Sequence, residues 1–356
     1  MKILLACGGS GGHIFPAFSV AEELKSRHRD IRLVYVCGKK DIENAIFKML
    51  DGERILPIDS APFRGAGSII HPGILIKWTL GFFQSVSILS REKPDLVVGF
   101  GGYAAFPLVS AAFCLGVKTL IHEQNVIPGL ANRVLARFSS GTAVSFVETI
   151  SYLPKLKNLR MTGNPIRSAI ENGSREEALQ FFNFSEDKVT LLVLGGSQGS
   201  ESLNQFFVGL VRHLPREIRT RLQVLHLCGR MPTEQAEQAL KESGIAGKAY
   251  SFFDRMDLVY AISDLAIGRA GATFLAEIAA KKIPAILIPY PYGNGHQHLN
   301  ANAFRNCHEA VIIEQKNLTM EKLKEEVLKR IQKKPPSGPA SNSRKFLADF
   351  IETLTK

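Results

Sequence analysis

The stretches ILLACGGSGGH at residues 3–13 and TLLVLGGSQGS at residues 190–200 share one pattern. Each is an apolar run typical of a buried strand, followed by a glycine-rich turn that carries a serine, and a helical pattern comes next. The second stretch starts about halfway along the 356 residues. The repeat predicts two doubly wound, Rossmann-like α/β domains, one after the other along the chain.

Short β-branched runs alternate with helical stretches through both halves, which indicates parallel sheets. The predicted strands are 2–7, 32–37, 96–98, 118–121, 141–144, 189–194, 222–228, 265–268 and 285–289. The predicted helices are 16–27, 41–50, 74–92, 203–214, 233–243, 275–281 and 318–333. A hinge is predicted at Gly163-Asn164-Pro165, which gives a first domain over 1–163 and a second over 164–339.

The chain ends in a predicted linker and a predicted helix. Residues 333–339, KKPPSGP, cannot continue a helix. Within the following segment, 340–356, apolar residues recur at helical spacing, namely Phe346, Leu347, Phe350, Ile351 and Leu354. This apolar face must pack against one of the two domains, and periodicity alone leaves open which one.

Composition narrows the classes of protein. Lys and Arg number 44 against 33 Asp and Glu, so the net charge of +11 favours nucleotides, phospholipids or nucleic acid as partners. No nucleic-acid recognition motif occurs, and we expect no nucleic-acid partner. Five cysteines without a Cys-x-x-Cys spacing argue against a disulfide scaffold or a zinc ribbon, and favour a reducing cytosol. The uncharged window 96–117 is long enough to span a bilayer, but its glycines and proline predict strand, loop and buried helix instead.

The two glycine turns suit a ligand that carries a pyrophosphate, because glycine lets the backbone approach phosphate and a helix N-terminus follows. Tight packing of strand on helix explains such turns equally well. The nicotinamide fingerprint fits worse, since Ile14 stands where its last glycine would be and the second strand ends in Gly38-Lys39-Lys40 without an acid. Neither turn fits the P-loop pattern of nucleotide hydrolases.

Several polar residues follow predicted strands and are candidates for ligand contact. His13 closes the first turn, where a helix N-terminus disfavours the protonated ring, so it is a candidate general base or else a cap of its own turn. His122-Glu123-Gln124-Asn125 stands at a carboxyl strand end. Glu277 could accept hydrogen bonds from a ribose diol or cap its helix, and Arg167 could pair with a phosphate.

The amide-rich run Asn294-Gly295-His296-Gln297 suits sugar hydroxyls. No Asp-x-Asp occurs in the chain, so a metal-bridged diphosphate is not expected; helix ends, hydroxyls and arginine would meet the charge of the leaving diphosphate. These features together point to a sugar nucleotide.

Six motifs occur in the order and spacing of the MurG family of bacterial glycosyltransferases, and the chain resembles that family from Lys2 to about Ala310. The motifs are GGSGGHIFP at 8–16, GFGGY at 99–103, HEQN at 122–125, GNPIR at 163–167, GGSQG at 195–199 and RAGA at 269–272. The resemblance implies a GT-B fold, with two Rossmann-like domains facing across a deep cleft, and a last helix that packs back on the first domain. It implies no metal and no other cofactor.

The resemblance also implies an activity, the inverting transfer of N-acetylglucosamine from UDP-GlcNAc to the C4 hydroxyl of the muramoyl sugar of lipid I. The product, lipid II, serves peptidoglycan synthesis and through it cell shape and division. His13 is the favoured base, with Asn125 a further catalytic candidate. The implied substrate-binding residues are Ser10 (more often Thr in the family), Gly11 and Gly12 for the donor; Asn125, Arg167 and Ser197 for its sugar and diphosphate; the Phe253 backbone for uracil; Ala272, Thr273, Phe274, Leu275, Ala276 and Glu277 for diphosphate and ribose; and Gln297 for sugar hydroxyls.

An enzyme of this kind meets its lipid acceptor at the cytoplasmic face of the cell membrane as a peripheral protein, and other cell-wall synthesis proteins are expected partners. The first domain carries a charge of about +7, which an anionic leaflet attracts. The predicted helix 74–92 has an apolar stripe that serves either the core or the membrane: Ile74, Leu75, Trp78, Phe82, Val86 and Leu89. The rival functions are a diacylglycerol glycosyltransferase, a UDP-GlcNAc 2-epimerase, and a non-catalytic nucleotide-sugar sensor or membrane scaffold.

Overall fold

The computed structural model describes residues 1–41, 45–48, 50, 52–61, 72–196, 199–292, 295–331 and 341–356. The chain divides into two compact units. Unit 1 comprises Met1–Arg167 and Asn342–Lys356, and unit 2 comprises Ser168–Ser341. The predicted linker 333–339, and Ser197 and Asn294 of the predicted site, lie outside the described residues.

Unit 1 is built on a parallel sheet of seven strands in the order β3-β2-β1-β4-β5-β6-β7. The strands are β1 Lys2–Ala6, β2 Arg32–Gly38, β3 Arg54–Ile58, β4 Leu96–Gly99, β5 Thr119–Glu123, β6 Gly141–Val144 and β7 Leu159–Met161. Because β1 pairs with both β2 and β4, the strand order reverses beside β1, and the first glycine turn leaves the sheet at that point.

In the described part of unit 1, the α-helices between these strands are α1 Gly11–Arg27, α2 Ala45–Lys48, α3 Pro72–Glu92, α4 Ala105–Cys114 and α5 Leu130–Leu135. The predicted start of the first helix at Pro16 was wrong. Pro16 lies inside α1, where its missing N–H gives up one backbone bond near the N-terminus while the helix continues. The early start places Gly11, Gly12 and His13 in the first turn of α1. Of the predicted helix 41–50, the described helical part is α2.

Unit 2 repeats the arrangement with six parallel strands in the order β10-β9-β8-β11-β12-β13. They are β8 Val189–Leu194, β9 Leu222–Leu227, β10 Ala246–Tyr250, β11 Leu265–Gly268, β12 Ala285–Leu287 and β13 Ala310–Ile312. Since β8 pairs with both β9 and β11, the second glycine turn leaves its sheet at the equivalent reversal of strand order. The prediction of two doubly wound domains is confirmed.

The helices of unit 2 are α6 Ser168–Asn172, α7 Arg175–Phe182, α8 Glu201–His213, α9 Arg216–Arg219, α10 Thr233–Ser243, α11 Met256–Ile262, α12 Ala272–Ala280, α13 His296–Cys307 and α14 Met320–Arg330. The predicted helix at 275–281 in fact begins three residues earlier, at Ala272, directly after Gly271. That earlier start places Ala272–Phe274 at the helix N-terminus, where backbone N–H groups lack helical partners.

The last helix, α15 Ser343–Thr355, belongs to unit 1. Leu347, Phe350, Ile351 and Leu354 are buried in the core of that unit, whereas Phe346 of the predicted apolar face is 52% exposed. The Arg160 guanidinium lies 4.4 Å from the centre of the Phe350 ring. Arg27 of α1 donates hydrogen bonds to Asp349 and Glu352 of α15, at 2.6 and 3.1 Å.

Helix α3 presents a second apolar surface beside the one that packs inward. The predicted stripe is mostly core: Trp78 donates to the Ala61 carbonyl at 3.1 Å, its ring lies 5.8 Å from that of Phe106 in α4, and Leu89 is buried. The exposed face of α3, which we call the outer face, consists of Leu75, Ile76, Leu80 and Phe83, 48% to 65% exposed. Among the described helices, α3 is also the one that is long and apolar enough to cross a membrane, by length and composition.

Candidate active site

The first glycine turn is held by its own sheet. Gly9 has a φ of +81°, in the left-handed region that glycine adopts without strain. A side-chain carbon at Gly102 would stand 2.3 Å from the Gly8 carbonyl oxygen, so the loops after β1 and β4 need glycine to lie this close together. The Ser10 hydroxyl makes no cap bond to α1, which leaves it free of that role at the helix N-terminus.

Asp41 anchors the same turn, and the sequence analysis did not identify it. Its carboxylate accepts the Gly9 N–H at 3.0 Å and the Gly38 N–H at 3.1 Å. Burial raises the pKa of Asp41, and these two hydrogen bonds oppose that change. The sequence signal for this role was an acid close after the second strand, the position at which a dinucleotide-binding fold has an acid that binds a ribose. In this protein the acid at that position, Asp41, binds the backbone of the first glycine turn instead.

His13 stands in a line of hydrogen bonds that runs into the core of unit 1. Its Nδ1 lies 3.0 Å from Oε1 of Gln124, and Nε2 of Gln124 lies 3.0 Å from Nδ1 of His122. His122 Nε2 in turn lies 3.0 Å from the Gly163 carbonyl oxygen. Burial lowers the pKa of His122 to about 4, against the opposing effect of that carbonyl, so the ring is neutral near pH 7.

Glu123 organises the loop that carries Asn125. The Glu123 carboxylate is buried and accepts the backbone N–H of Asn125 at 2.9 Å and the Asn125 side-chain amide at 3.2 Å. It also accepts the Gly129 N–H at 3.0 Å and the Asn132 amide at 2.8 Å. Four donors around one carboxylate fix this loop at the end of β5, beside Gln124, and so orient Asn125.

Arg167 ends the first stretch of unit 1. Its guanidinium carbon lies 4.3 Å from the centre of the Phe15 ring in α1, a cation–π contact. The ring neighbours His13 in sequence, so the structure places Arg167 near the first glycine turn. Its predicted phosphate partner stays a prediction.

Unit 2 contains a cavity of about 350 Å³ at the carboxyl ends of β8, β11 and β12. This is the edge of the sheet at which doubly wound folds bind ligands. The cavity is lined by Gly195, Gly199, Ser200, Glu201, Ser202, Arg269, Tyr290, Gln297 and Gln315. Gly199 has a φ of +75° and approaches the Cys228 carbonyl so closely that a side-chain carbon would stand 2.4 Å from that oxygen.

Arg269 lines this cavity, and its buried guanidinium donates hydrogen bonds to neutral acceptors. It donates to the Ile288 and Pro289 carbonyls at 3.0 and 3.2 Å, to the Ser200 hydroxyl at 2.7 Å and to Gln315 Oε1 at 2.8 Å. Burial lowers the pKa of Arg269. Among the described residues no carboxylate is within ion-pair distance of it, so its positive charge is available to an anionic ligand.

Gln297 opens α13 at the same cavity. Its side-chain oxygen accepts the Tyr290 N–H at 2.9 Å, which orients the amide nitrogen away from that contact. The structure thus brings Gln297, a predicted contact for sugar hydroxyls, to the same cavity as the second glycine turn and Arg269, which was not among the predicted site residues. Binding of the sugar by Gln297 stays a prediction.

Helix α12 begins at Ala272 with Gly271 as its cap, and Gly271 has no side chain to occupy the first N–H groups. No acid stands in the first turn of α12. The N-terminus of this helix therefore offers backbone donors and the positive end of its dipole to an anion. Thr273 lies within this turn, and Leu275 makes the first backbone bond of the helix, to Gly271.

Glu277 is buried one turn further along α12, where Oε2 accepts a 2.7 Å hydrogen bond from the Tyr260 hydroxyl of α11. Phe253 lies in an aromatic cluster, with its ring centre 4.7 Å from that of Tyr250 and 5.5 Å from that of Phe182. This packing anchors the backbone proposed to contact uracil.

The chain matches two family models: the glycosyltransferase family 28 N-terminal domain over residues 3–144 and the glycosyltransferase family 28 C-terminal domain over residues 190–354. It is similar to the UDP-N-acetylglucosamine–N-acetylmuramyl-(pentapeptide) pyrophosphoryl-undecaprenol N-acetylglucosamine transferase of Halothermothrix orenii, with 37% identity and full coverage of both chains. The protein of the same name from Syntrophus aciditrophicus is 38% identical, over 92% of this chain and 89% of the relative.

Among solved structures, MurG of Acinetobacter baumannii matches with a TM-score of 0.73 and 25% identity, over 99% of each chain. A UDP-GlcNAc 2-epimerase from Neisseria meningitidis, bound to UDP-GlcNAc, matches with a TM-score of 0.66 at 12% identity, over 99% of this chain and all of the other. The second likeness shows a shared fold alone.

Proposed function

The chain belongs to glycosyltransferase family 28, and we propose from this premise how its residues carry out the transfer. Within the family it belongs to the UDP-N-acetylglucosamine–N-acetylmuramyl-(pentapeptide) pyrophosphoryl-undecaprenol N-acetylglucosamine transferases. The enzyme moves N-acetylglucosamine from UDP-GlcNAc to the lipid-linked muramoyl-pentapeptide, lipid I, and so makes lipid II. The observation that carries the assignment of residues is the cavity of unit 2, which a buried arginine and the second glycine turn line. Helix α12 begins at Ala272, shortly after that arginine in the chain.

The donor binds to unit 2. Its diphosphate accepts hydrogen bonds from the N–H groups at the start of α12 and lies in the field of Arg269. Glu277 accepts the ribose hydroxyls, the Phe253 backbone contacts uracil, and Gln297 binds hydroxyls of the sugar. Asn125, Arg167 and the Ser10-Gly11-Gly12 turn of unit 1 remain predicted donor contacts.

The reaction is an inverting displacement at the anomeric carbon. The C4 hydroxyl oxygen of the muramoyl sugar forms a bond to that carbon while the bond to the diphosphate oxygen breaks, and UDP leaves with the bonding electron pair. His13 accepts the proton of the attacking hydroxyl. The charge that develops on UDP is stabilised by helix dipole, backbone N–H groups and arginine.

We assign no metal to this reaction. Within the described part of the chain no group of three or more His, Cys, Asp or Glu side chains is arranged to hold a metal ion. The cavity is lined by a guanidinium, hydroxyls, amides and a single carboxylate, that of Glu201, and its guanidinium and hydroxyls suit a diphosphate.

The protein acts as a peripheral protein on the cytoplasmic face of the cell membrane, through the outer face of α3. Four apolar side chains there are about half exposed or more, on a helix that contains Lys77 and Arg91 and belongs to the more basic half of the chain. Apolar insertion with electrostatic attraction to anionic lipid accounts for such a surface.

A radiolabelled transfer assay tests the proposal. UDP-[¹⁴C]GlcNAc is incubated with lipid I, with diacylglycerol, or with no acceptor, and labelled lipid and released UDP are both measured. Label in lipid II and acceptor-dependent UDP release are expected. Turnover on diacylglycerol without turnover on lipid I would refute the assignment of the acceptor, and conversion of UDP-GlcNAc to its 2-epimer would refute transfer altogether.

A further inference from the structure

The hydrogen bonds around Gln124 determine which nitrogen of His13 carries the proton. Gln124 is buried, and its Nε2 donates to the Phe100 carbonyl at 2.9 Å and lies 3.1 Å from the His122 carbonyl. Both neighbours are carbonyl oxygens, which accept and cannot donate. A flipped amide would face them with its own oxygen, so the amide nitrogen occupies this side.

The orientation of Gln124 then fixes His122. With Nε2 of Gln124 as the donor, Nδ1 of His122 at 3.0 Å is the acceptor, and the single proton of the neutral ring is on Nε2. That Nε2 is 3.0 Å from the Gly163 carbonyl, which needs a donor. The lowered pKa of His122 keeps the ring neutral, as this pattern requires.

The same orientation turns Oε1 of Gln124 toward His13 Nδ1 at 3.0 Å. An amide oxygen only accepts, so the His13 proton is on Nδ1 and the lone pair is on Nε2. In water the neutral histidine ring carries its proton mainly on Nε2, the opposite form. Among the described hydrogen bonds none uses His13 Nε2, so this lone pair is open to a substrate proton.

We propose that Gln124 is a positioning residue that holds His13 in the Nδ1–H form, through a chain of donors that ends at the Gly163 carbonyl, so that His13 Nε2 receives the proton of the attacking hydroxyl. The inference deepens the proposed function and rests on His13 as the base. After proton transfer the ring bears a proton on each nitrogen, and Nδ1–H still donates to the Gln124 oxygen, so that no bond of the chain has to rearrange.

Close packing supports the arrangement. A side-chain carbon at Gly101, where φ is +85°, would stand 2.9 Å from His13 Nδ1, so the loop after β4 lies against the ring and holds its plane. Among the described residues, Asp41 of the glycine turn and His122 interact electrostatically with His13. Arg167, which stacks on Phe15, is a further charged group near the same turn. His122 is neutral near pH 7.

Two substitutions test the proposal. Gln124→Leu removes the acceptor for Nδ1–H, and we expect kcat to fall at least tenfold while KM for both substrates stays within twofold; the wrong tautomer of a catalytic histidine lowers turnover by up to about 10⁴-fold in serine proteases. Gln124→Glu keeps the acceptor and adds negative charge beside the protonated ring. We expect it to retain more activity than Gln124→Leu, with the acid limb of the rate profile moved at least one pH unit higher.

Nitrogen NMR of ¹⁵N-histidine-labelled protein reads the tautomer directly, and His13→Ala assigns the signal. The Nδ1–H form is expected in the native protein, and a shift toward the Nε2–H form in Gln124→Leu. Gln238→Leu, on the exposed face of α10, is the matched control and is expected to change neither spectrum nor rate.

A native His13 ring in the Nε2–H form, or equal losses in both Gln124 variants without a change in the pH profile, would overturn the proposal while leaving the function intact. If His13→Ala transfers at the native rate, the base assignment itself is refuted. Absence of transfer to lipid I by the native enzyme would instead contradict the proposed function, so the failures are distinguishable.

Discussion

The Tyr260 hydroxyl donates a 2.7 Å hydrogen bond to Oε2 of Glu277, and both side chains are buried. The hydrogen bond from Tyr260 fixes the orientation of the Glu277 carboxylate. The hydroxyls of a bound ribose would therefore donate to an acceptor that is already oriented. The residues come from neighbouring helices, α11 and α12, so the pairing is invisible in a linear motif even though Glu277 itself was predicted.

Removal of this hydroxyl should weaken donor binding without abolishing it. In Tyr260→Phe the carboxylate loses a bond of the kind worth about 1.5–3 kcal/mol when one partner is charged, and part of that loss is expected in the affinity for UDP. We expect a three- to tenfold rise in Kd by calorimetry, against at least tenfold for Glu277→Gln. Tyr152→Phe, at a half-exposed position of unit 1, is the control. Unchanged affinity in Tyr260→Phe would show that Glu277 needs no such support.

Arg269 should contribute to binding through the diphosphate and not through the nucleoside. In Arg269→Gln the positive charge is lost, so we expect the Kd for UDP to rise at least tenfold while the Kd for uridine changes less than twofold. Arg212→Gln, which removes a half-exposed arginine paired with Glu242, is the control. Equal losses for UDP and uridine would mean that Arg269 supports the fold of the cavity only.

Acid should destabilise unit 2 through His226. The ring is fully buried, its Nε2 is 2.9 Å from Asn204 Oδ1, and burial lowers its pKa to about 3. The unfolded chain binds the proton with a pKa near 6.5, so the unfolded state takes up more protons between pH 6.5 and 3. The stability that this group contributes is therefore complete above pH 6.5 and falls by about 1.4 kcal/mol per pH unit below it.

Urea unfolding at pH 7.5 and pH 5 measures this effect. His226→Gln keeps a donor for Asn204 and does not titrate, so its unfolding midpoint should drop less between the two pH values than that of the native protein. His213→Gln, at an exposed position of α8, should leave the native pH dependence in place. Identical pH dependence in all three proteins would exclude His226 as the cause.

The outer face of α3 should carry membrane binding. Replacing Ile76 and Phe83, 58% and 65% exposed, by serine removes apolar area from this surface. We expect at least tenfold weaker binding to vesicles that contain anionic lipid, with unchanged affinity for UDP, because the donor cavity is in unit 2. Phe346→Ser on α15, 52% exposed, is the matched control in the same unit. Equal binding by all three proteins would assign the membrane contact elsewhere.

Transfer should persist in excess EDTA, and added magnesium should not raise the rate, because guanidinium, helix N-terminus and hydroxyls stabilise the leaving diphosphate. The measurement is the initial rate of transfer to lipid I with and without chelator. A rate that collapses in EDTA and returns with magnesium would contradict the proposal of a reaction without metal.

Central strands could be predicted from the sequence, and the edge strands could not. β3, β7, β10 and β13, which the pattern did not predict, are the four edges of the two sheets. Central strands are covered on both faces and appear as predominantly apolar runs such as Val189–Leu194, whereas Ala246–Tyr250 is mostly half-exposed or exposed and lacks that signal. The same limit applied to Asp41 and Tyr260, because their partners Gly9 and Glu277 lie 32 and 17 residues away in the chain.

By itself the sequence determined that two similar α/β units exist, where their glycine turns lie and which polar residues follow the strands, because strand and helix periods and glycine turns are local properties of the chain. Only the tertiary structure decided that α15 packs on α1, that most of the stripe of α3 packs inward while its Leu75 belongs to the exposed outer face, and that Gln124 presents its oxygen to His13. Each of these depends on a contact between segments distant in sequence, and hydrogen-bond direction is determined only when every donor and acceptor around a group is in place.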